Sequence, residues 1–189
     1  MSSQPHSPQL VPQLILALPT ADATRQLGAA LSHLPAGTTL LLSGDLGSGK
    51  TTLAQGLGNA LGITEPLVSP TFALLHEYHD GKQPLYHFDL YRLTAEQVPT
   101  LAPETYWDGS EAPLGIVLIE WCDRLPYPPD AALSITLEAI ASGDTPETDS
   151  PDLGRIATLT LMGHTKGHTK LSLEAIAVAF EAQLSAALP

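Results

Sequence analysis

The stretch "TTLLLSGDLGSGKTTLAQGLGNALG", residues 38–62, constrains this chain more than any other. A short apolar run ends at a glycine. The pattern G-x-x-x-x-G-K-[ST] follows, and then an apolar-periodic run closed by Gly62. That order predicts a buried strand, a Gly-rich loop and a helix. Gly44, Gly47 and Gly49 let backbone N–H groups converge on an anion, and Leu46, Ser48 and Thr52 complete the loop and the helix start. The helix turns its N-terminal partial positive charge towards the same point. Lys50 is placed to reach the β- and γ-phosphates of a nucleotide, and the Thr51 hydroxyl to ligate Mg²⁺. The expected ligands are ATP and Mg²⁺.

A phosphate loop of this kind needs a second metal anchor at the end of a neighbouring strand, usually an Asp. "GIVLIEW", residues 115–121, is almost continuously apolar and reads as a strand buried on both faces. It ends in Glu120, whose extra methylene lets it reach the metal directly or through a metal-bound water. "PTFALLHEYHDGKQPLYHFDLYRL", residues 70–93, reads as a hairpin with Asp80-Gly81 near its tip. Alternation in the second arm puts Tyr86, Phe88 and Leu90 on one face and His87, Asp89 and Tyr91 on the other. Asp89 is thus an acid inside a strand-like apolar stretch. His87 shares its face and either supports that acid or packs with Tyr91. Thr71 lies where a switch-like loop could follow the phosphate-loop helix, with its hydroxyl in reach of a γ-phosphate.

The remaining chain supplies scaffold. "ADATRQLGAALSHL" carries Ala23, Leu27, Ala30, Leu31 and Leu34 at helical spacing, with Thr20 or Asp22 as cap. The segment 93–115 reads as helix or loop broken by prolines. Two further strands are expected over 131–140 and 155–163, joined by a flexible Pro/Gly-rich loop at 141–153. The chain ends in an amphipathic helix over 171–188, whose stripe of Leu173, Ile176, Ala177, Phe180 and Leu184 reads as core. Residues 1–14 are Pro/Ser/Gln-rich and read as a disordered extension, so residues 15–189 form a single domain. His164 and His168 could share a metal on a helix, but Gly163 and Gly167 interrupt the segment and no other ligand is evident.

With 189 residues, 43% of them apolar, the chain can build one domain with a real core. The net charge of −12 repels phosphate backbones and anionic membranes, so any contact with nucleic acid is expected to run through a partner. The lone cysteine, Cys122, excludes an internal disulfide and fits a reducing, cytoplasmic setting. No apolar run reaches the ~18 residues of a membrane helix, and the start of the chain lacks a signal peptide's basic region.

"GDLGSGKTTLAQGLGNALG", "VSPTFALLHEY", "YHFDLYRL" and "LIEW", in that order, resemble the TsaE family, the ATPase subunit in bacterial biosynthesis of threonylcarbamoyladenosine at position 37 of tRNA. The resemblance runs from about Leu18 to Gly163. It implies an α/β, P-loop NTPase-like three-layer fold around a mostly parallel sheet with an antiparallel hairpin. It also implies slow Mg²⁺-dependent ATP hydrolysis coupled to a complex with TsaD and TsaB homologues. On this resemblance Lys50 and Thr51 hold phosphate and metal, Glu120 is the second metal acid, and Asp89 is the essential acid and a candidate for orienting the attacking water. Thr71 matches a switch-like threonine, and Trp121 a tryptophan beside the site. Arg155 corresponds to an arginine near the nucleotide, and Thr24 to a threonine near its base. One departure is local: after "DLYRL" the family leads to a Glu and a Gly before an aromatic residue, where this chain has Ala102 and Pro103.

Two other functions use the same loop. A small-molecule kinase needs an acceptor pocket and an arginine-bearing lid, which a chain with 8 Lys and Arg in all scarcely supplies. A nucleotide-gated binding module would use ATP to set a conformation, with hydrolysis incidental.

Overall fold

The computed structural model describes residues 12–140, 154–163 and 172–186. Their strands are β1 (Gln13–Leu18), β2 (Thr39–Ser43), β3 (Leu75–Tyr78), β4 (Leu85–Asp89), β5 (Ile116–Glu120), β6 (Ala131–Ala139) and β7 (Arg155–Gly163). The helices are α1 (Ala21–Leu31), α2 (Lys50–Leu61), α3 (Glu104–Trp107) and α4 (Leu173–Ala186). All the strands join one sheet in the order β1-β7-β6-β2-β5-β4-β3.

The four central strands, β6, β2, β5 and β4, run parallel. Antiparallel pairings flank them: β3 on β4, and β7 and β1 beyond β6. The parallel core matches the expectation. The antiparallel share is larger than one hairpin, because β7 turns back along β6 and β1 pairs with β7. β1 begins at Gln13, just inside the stretch read as an extension, and its Leu14, Leu16 and Leu18 turn to the core in strict alternation. Residues 1–11 and the 141–153 loop lie outside the described residues, as do His164 and His168.

Burial explains the layering. β2 and β5 are apolar on both faces, as central strands must be. One face packs Leu40, Leu42, Leu118 and Leu133 under α1, α2 and α4, through Leu27, Leu57 and Phe180. On the other, Leu41, Val117, Ile119, Tyr86 and Phe88 are covered by Val98, Tyr106 and Trp107. Ile176 and Phe180 of the C-terminal stripe are buried, with Leu173 and Leu184 packed partly against the same cluster. Among the described residues, no helix is long and apolar enough to cross a membrane.

Local chemistry fixes the ends of these elements. Thr20, not Asp22, caps α1, its hydroxyl accepting from Ala23 N at 3.1 Å. Gly62 closes α2 in the left-handed conformation. Asp80 near the hairpin tip accepts from both Thr64 N at 2.9 Å and Thr64 Oγ1 at 2.6 Å, tying the tip to the segment after α2. Ala102 adopts φ 43°, ψ 51°, a left-handed conformation that favours glycine.

Candidate nucleotide and metal site

Because β2, β5 and β4 are parallel, their C-terminal ends come to one edge of the sheet, where α/β sheets bind ligands. Leu42 lies opposite Glu120, and Glu120 opposite Asp89, in one row across the three strands. β2 then leads into the Gly-rich loop and α2. The row therefore delivers Glu120 and Asp89 directly beneath the loop. A cleft of about 320 Å³ opens there, walled by Leu46, Gly47, Gly49, Lys50, Thr51, Thr52, Ser69, Thr71, Asp89, Tyr91, Glu120 and Trp121.

The loop's backbone needs glycine. Gly44 sits at φ 130°, and a Cβ there would lie 2.2 Å from the Leu137 carbonyl oxygen. Gly49 sits at φ 104°, and a Cβ there would lie 3.1 Å from Arg155 Nε and 3.5 Å from Thr24 Cγ2. Thr24 and Arg155 therefore lie against the loop at Gly49, and neither is among the residues that wall the cleft. The Thr24 hydroxyl donates to Thr20 O at 3.3 Å, which turns its methyl group to the loop.

Lys50 is almost fully buried. Its ammonium donates to Gly44 O at 2.7 Å and Asp45 O at 2.9 Å, with Ser48 Oγ at 3.4 Å. The same Nζ lies 4.2 Å from the centroid of the Trp121 ring. Burial lowers the Lys50 pKa below the ordinary lysine value, against the opposing pull of Glu120, Asp89 and Asp45. Trp121 holds φ 59°, a left-handed conformation that costs an L-residue of this size about 1–2 kcal/mol. It turns the indole from the end of β5 over the loop, where Tyr91 packs on it at a centroid distance of 4.8 Å.

The acids sit in two connected groups. Thr51 Oγ1 donates to Glu120 Oε1 at 3.0 Å, joining the start of α2 to the end of β5. Asp89 Oδ2 accepts from Ser69 Oγ at 2.7 Å and Thr71 Oγ1 at 2.6 Å, and its Oδ1 accepts from Tyr91 N at 2.9 Å. Both carboxylates are nearly fully buried.

His87 pairs with a different acid from the Asp89 that shares its strand: its Nε2 stands 2.9 Å from Glu120 Oε1, and the Tyr91 ring packs on Trp121. Cys122 is half-buried in the short 3₁₀ turn after Trp121, and burial pushes its thiol up to about 11. Such a thiol is an inert packing residue at neutral pH.

Ser69 and the Glu120 partner of His87 escape a linear reading. Ser69 stands two residues before Thr71, and only the turn of the loop brings its hydroxyl onto Asp89. The His87–Glu120 pairing depends on the register of β4 against β5.

The residues present fit a magnesium–phosphate group. Hydroxyl and carboxylate oxygens are what a hard cation binds, and Mg²⁺ typically takes one or two protein carboxylates and completes its shell from phosphates and water. Among the described residues, no cluster of three or more His, Cys, Asp or Glu forms an all-protein cage.

The family model described as "Threonylcarbamoyl adenosine biosynthesis protein TsaE" matches residues 18–145. That span holds the loop, Ser69, Thr71, His87, Asp89, Glu120 and Trp121, and stops short of Arg155. A tRNA threonylcarbamoyladenosine biosynthesis protein TsaE from Synechocystis is 57% identical over 113 residues, covering 59% of this chain and 72% of that one. Its counterpart from Nostoc is 54% identical over 117 residues, covering 61% and 72%. The crystal structure of Bacillus subtilis YdiB superposes with a TM-score of 0.64 at 26% identity, over 94% of this chain and 98% of that one. From the matched span and these identities, this chain belongs to the TsaE family.

Proposed function

We propose that this protein is the ATP-binding and ATP-hydrolysing subunit required for threonylcarbamoyl modification of adenosine 37 in tRNAs, with a P-loop NTPase-like three-layer fold. It works in the cytoplasm with TsaD and TsaB homologues, and reaches tRNA through that complex. The observation that carries the reading is the row Leu42–Glu120–Asp89, which puts two buried acids beneath the Lys50–Thr51 loop.

The loop amides and the N-terminus of α2 cradle the phosphates, and Lys50 leaves the carbonyls of Gly44 and Asp45 to meet the β- and γ-oxygens. Thr51 and Glu120 hold Mg²⁺, which when bound neutralises charge on the phosphoryl group being transferred. Asp89 accepts a hydrogen bond from the water that attacks the γ-phosphorus, and so orients it in line. Ser69 and Thr71 fix the carboxylate for this task, and the Thr71 hydroxyl is the group that responds to the γ-phosphate. Trp121 covers the loop, while Thr24 and Arg155 brace it at Gly49. The formal charge of −12 agrees with a protein that meets tRNA through others.

The test is ATP hydrolysis with Mg²⁺ by the protein alone and with purified TsaD and TsaB added. Slow turnover that changes when the partners bind supports the reading. Partners that neither bind nor alter the rate oppose it and turn the search to a phosphoryl acceptor.

A further inference from the structure

We infer that His87 is a positioning residue for Glu120, fixing which carboxylate oxygen is turned to the metal. The inference rests on the reading above, in which Glu120 serves Mg²⁺. His87 is fully buried on β4, and its Nε2 lies 2.9 Å from Glu120 Oε1. An ionised carboxylate only accepts, so the Nε2–H donates. The same Oε1 accepts the Thr51 hydroxyl at 3.0 Å. Two donors from two different elements thus claim one oxygen and leave Oε2 as the oxygen neither of them uses.

The need for a second tether follows from the residue type. Glutamate has one more rotatable bond than the aspartate usual at this place, and it sits at the last position of its strand. An unrestrained glutamate there would spread over several rotamers. In the sheet register His87 faces Leu118, two residues before Glu120 on the same face of β5. The two side chains bridge that diagonal offset at 2.9 Å. The arrangement parallels the outer-shell partners that orient metal-binding carboxylates elsewhere and set metal affinity. The other ring nitrogen, Nδ1, is buried and has no hydrogen-bond partner among the described residues, so among these the ring's polar function is spent on Glu120.

The test measures the affinity of the full-length protein for a fluorescent ADP analogue, once with Mg²⁺ and once with EDTA. His87→Asn keeps a polar side chain but cannot reach Glu120. His87→Gln carries an amide nitrogen where Nε2 stands. Asparagine should reduce the Mg²⁺-dependent gain in affinity by about 10-fold or more, with the metal-free affinity unchanged within about twofold. Glutamine should restore most of the gain. Two results overturn the inference: an Asn variant with the full Mg²⁺ gain, or one that loses affinity equally with and without the metal, which would make His87 a packing residue. Glu120→Gln runs alongside. If it too keeps the full Mg²⁺ gain, the assignment of Glu120 fails and takes the inference with it. If only Glu120→Gln loses the gain, the assignment of Glu120 stands and the inference about His87 fails alone.

Discussion

The Thr71 hydroxyl donates to Asp89 Oδ2 at 2.6 Å, which ties the loop after α2 to the end of β4. Ser69 Oγ donates to the same oxygen at 2.7 Å, so each hydroxyl spends its one proton on Asp89, and the two hydroxyl oxygens stand 2.8 Å apart to close a triangle of contacts. A buried acid held this way keeps one orientation, and the loop that holds it is the loop expected to respond to a γ-phosphate.

Breaking the triangle should cost rate before it costs binding. Ser69→Ala removes one of two side-chain donors to Oδ2, and is expected to lower stability by about 1 kcal/mol and kcat by roughly 3–10-fold, with ATP affinity within about twofold. Ser69→Ala combined with Thr71→Val leaves Oδ2 without a side-chain donor. Its stability loss should reach about 2–3 kcal/mol, because two hydrogen bonds to one buried charged group are lost. Urea unfolding and steady-state phosphate release check both. A double variant with wild-type kcat would remove the triangle from the mechanism.

Ala102 gives a prediction that touches no ligand. It holds φ 43° between a 3₁₀ turn and α3. Glycine adopts that conformation without the Cβ clash, at some cost in unfolded-state entropy. Ala102→Gly should therefore stabilise the fold by about 0.5–1 kcal/mol, read as a higher urea midpoint at unchanged slope. Destabilisation by the same amount would mean that the methyl group packs better than the backbone conformation costs.

Alkaline pH should weaken the fold through its tyrosines. Burial, reinforced by the hydrogen bond to Glu77, pushes Tyr106 from 10.0 up to about 12. Between those values the folded protein keeps a proton that the unfolded chain has lost. The stability Tyr106 contributes is thus complete below about pH 10 and is lost as pH rises towards 12. Tyr106→Phe should make the fall in unfolding free energy between pH 9.5 and 11.5 shallower than in the wild type. Equal slopes would mean that Tyr106 does not hold its proton more tightly in the fold.

Much of this architecture was legible because a few local signals are strong. Strand, glycine loop and helix follow from residues 38–62 in order, and the Asp80-Gly81 turn together with alternation around Phe88 gives the hairpin. The parallel core follows from the unbroken apolar run before Glu120. β1 was hidden because its leucines follow a Pro- and Ser-rich stretch, and only their alternation marks them. Thr71 and Asp89 could be named one at a time, whereas Ser69 could not, since a serine before a proline is ordinary turn chemistry. The His87–Glu120 contact is set by interstrand register, which no single strand encodes. Thr24 and Arg155 meet at Gly49 because α1 packs on α2 while β7 starts beside β6, and no local pattern carries that relationship.

The most direct test of the catalytic account compares Asp89→Asn with the wild type, measuring ATP affinity and single-turnover phosphate release in Mg²⁺. Asparagine keeps the size and most of the hydrogen-bonding capacity of the side chain and removes its charge. The account predicts ATP affinity within about threefold of wild type and phosphate release at least about 100-fold slower. Phosphate release at the wild-type rate would contradict it, leaving the cleft as a nucleotide-binding site in which Asp89 does no chemistry.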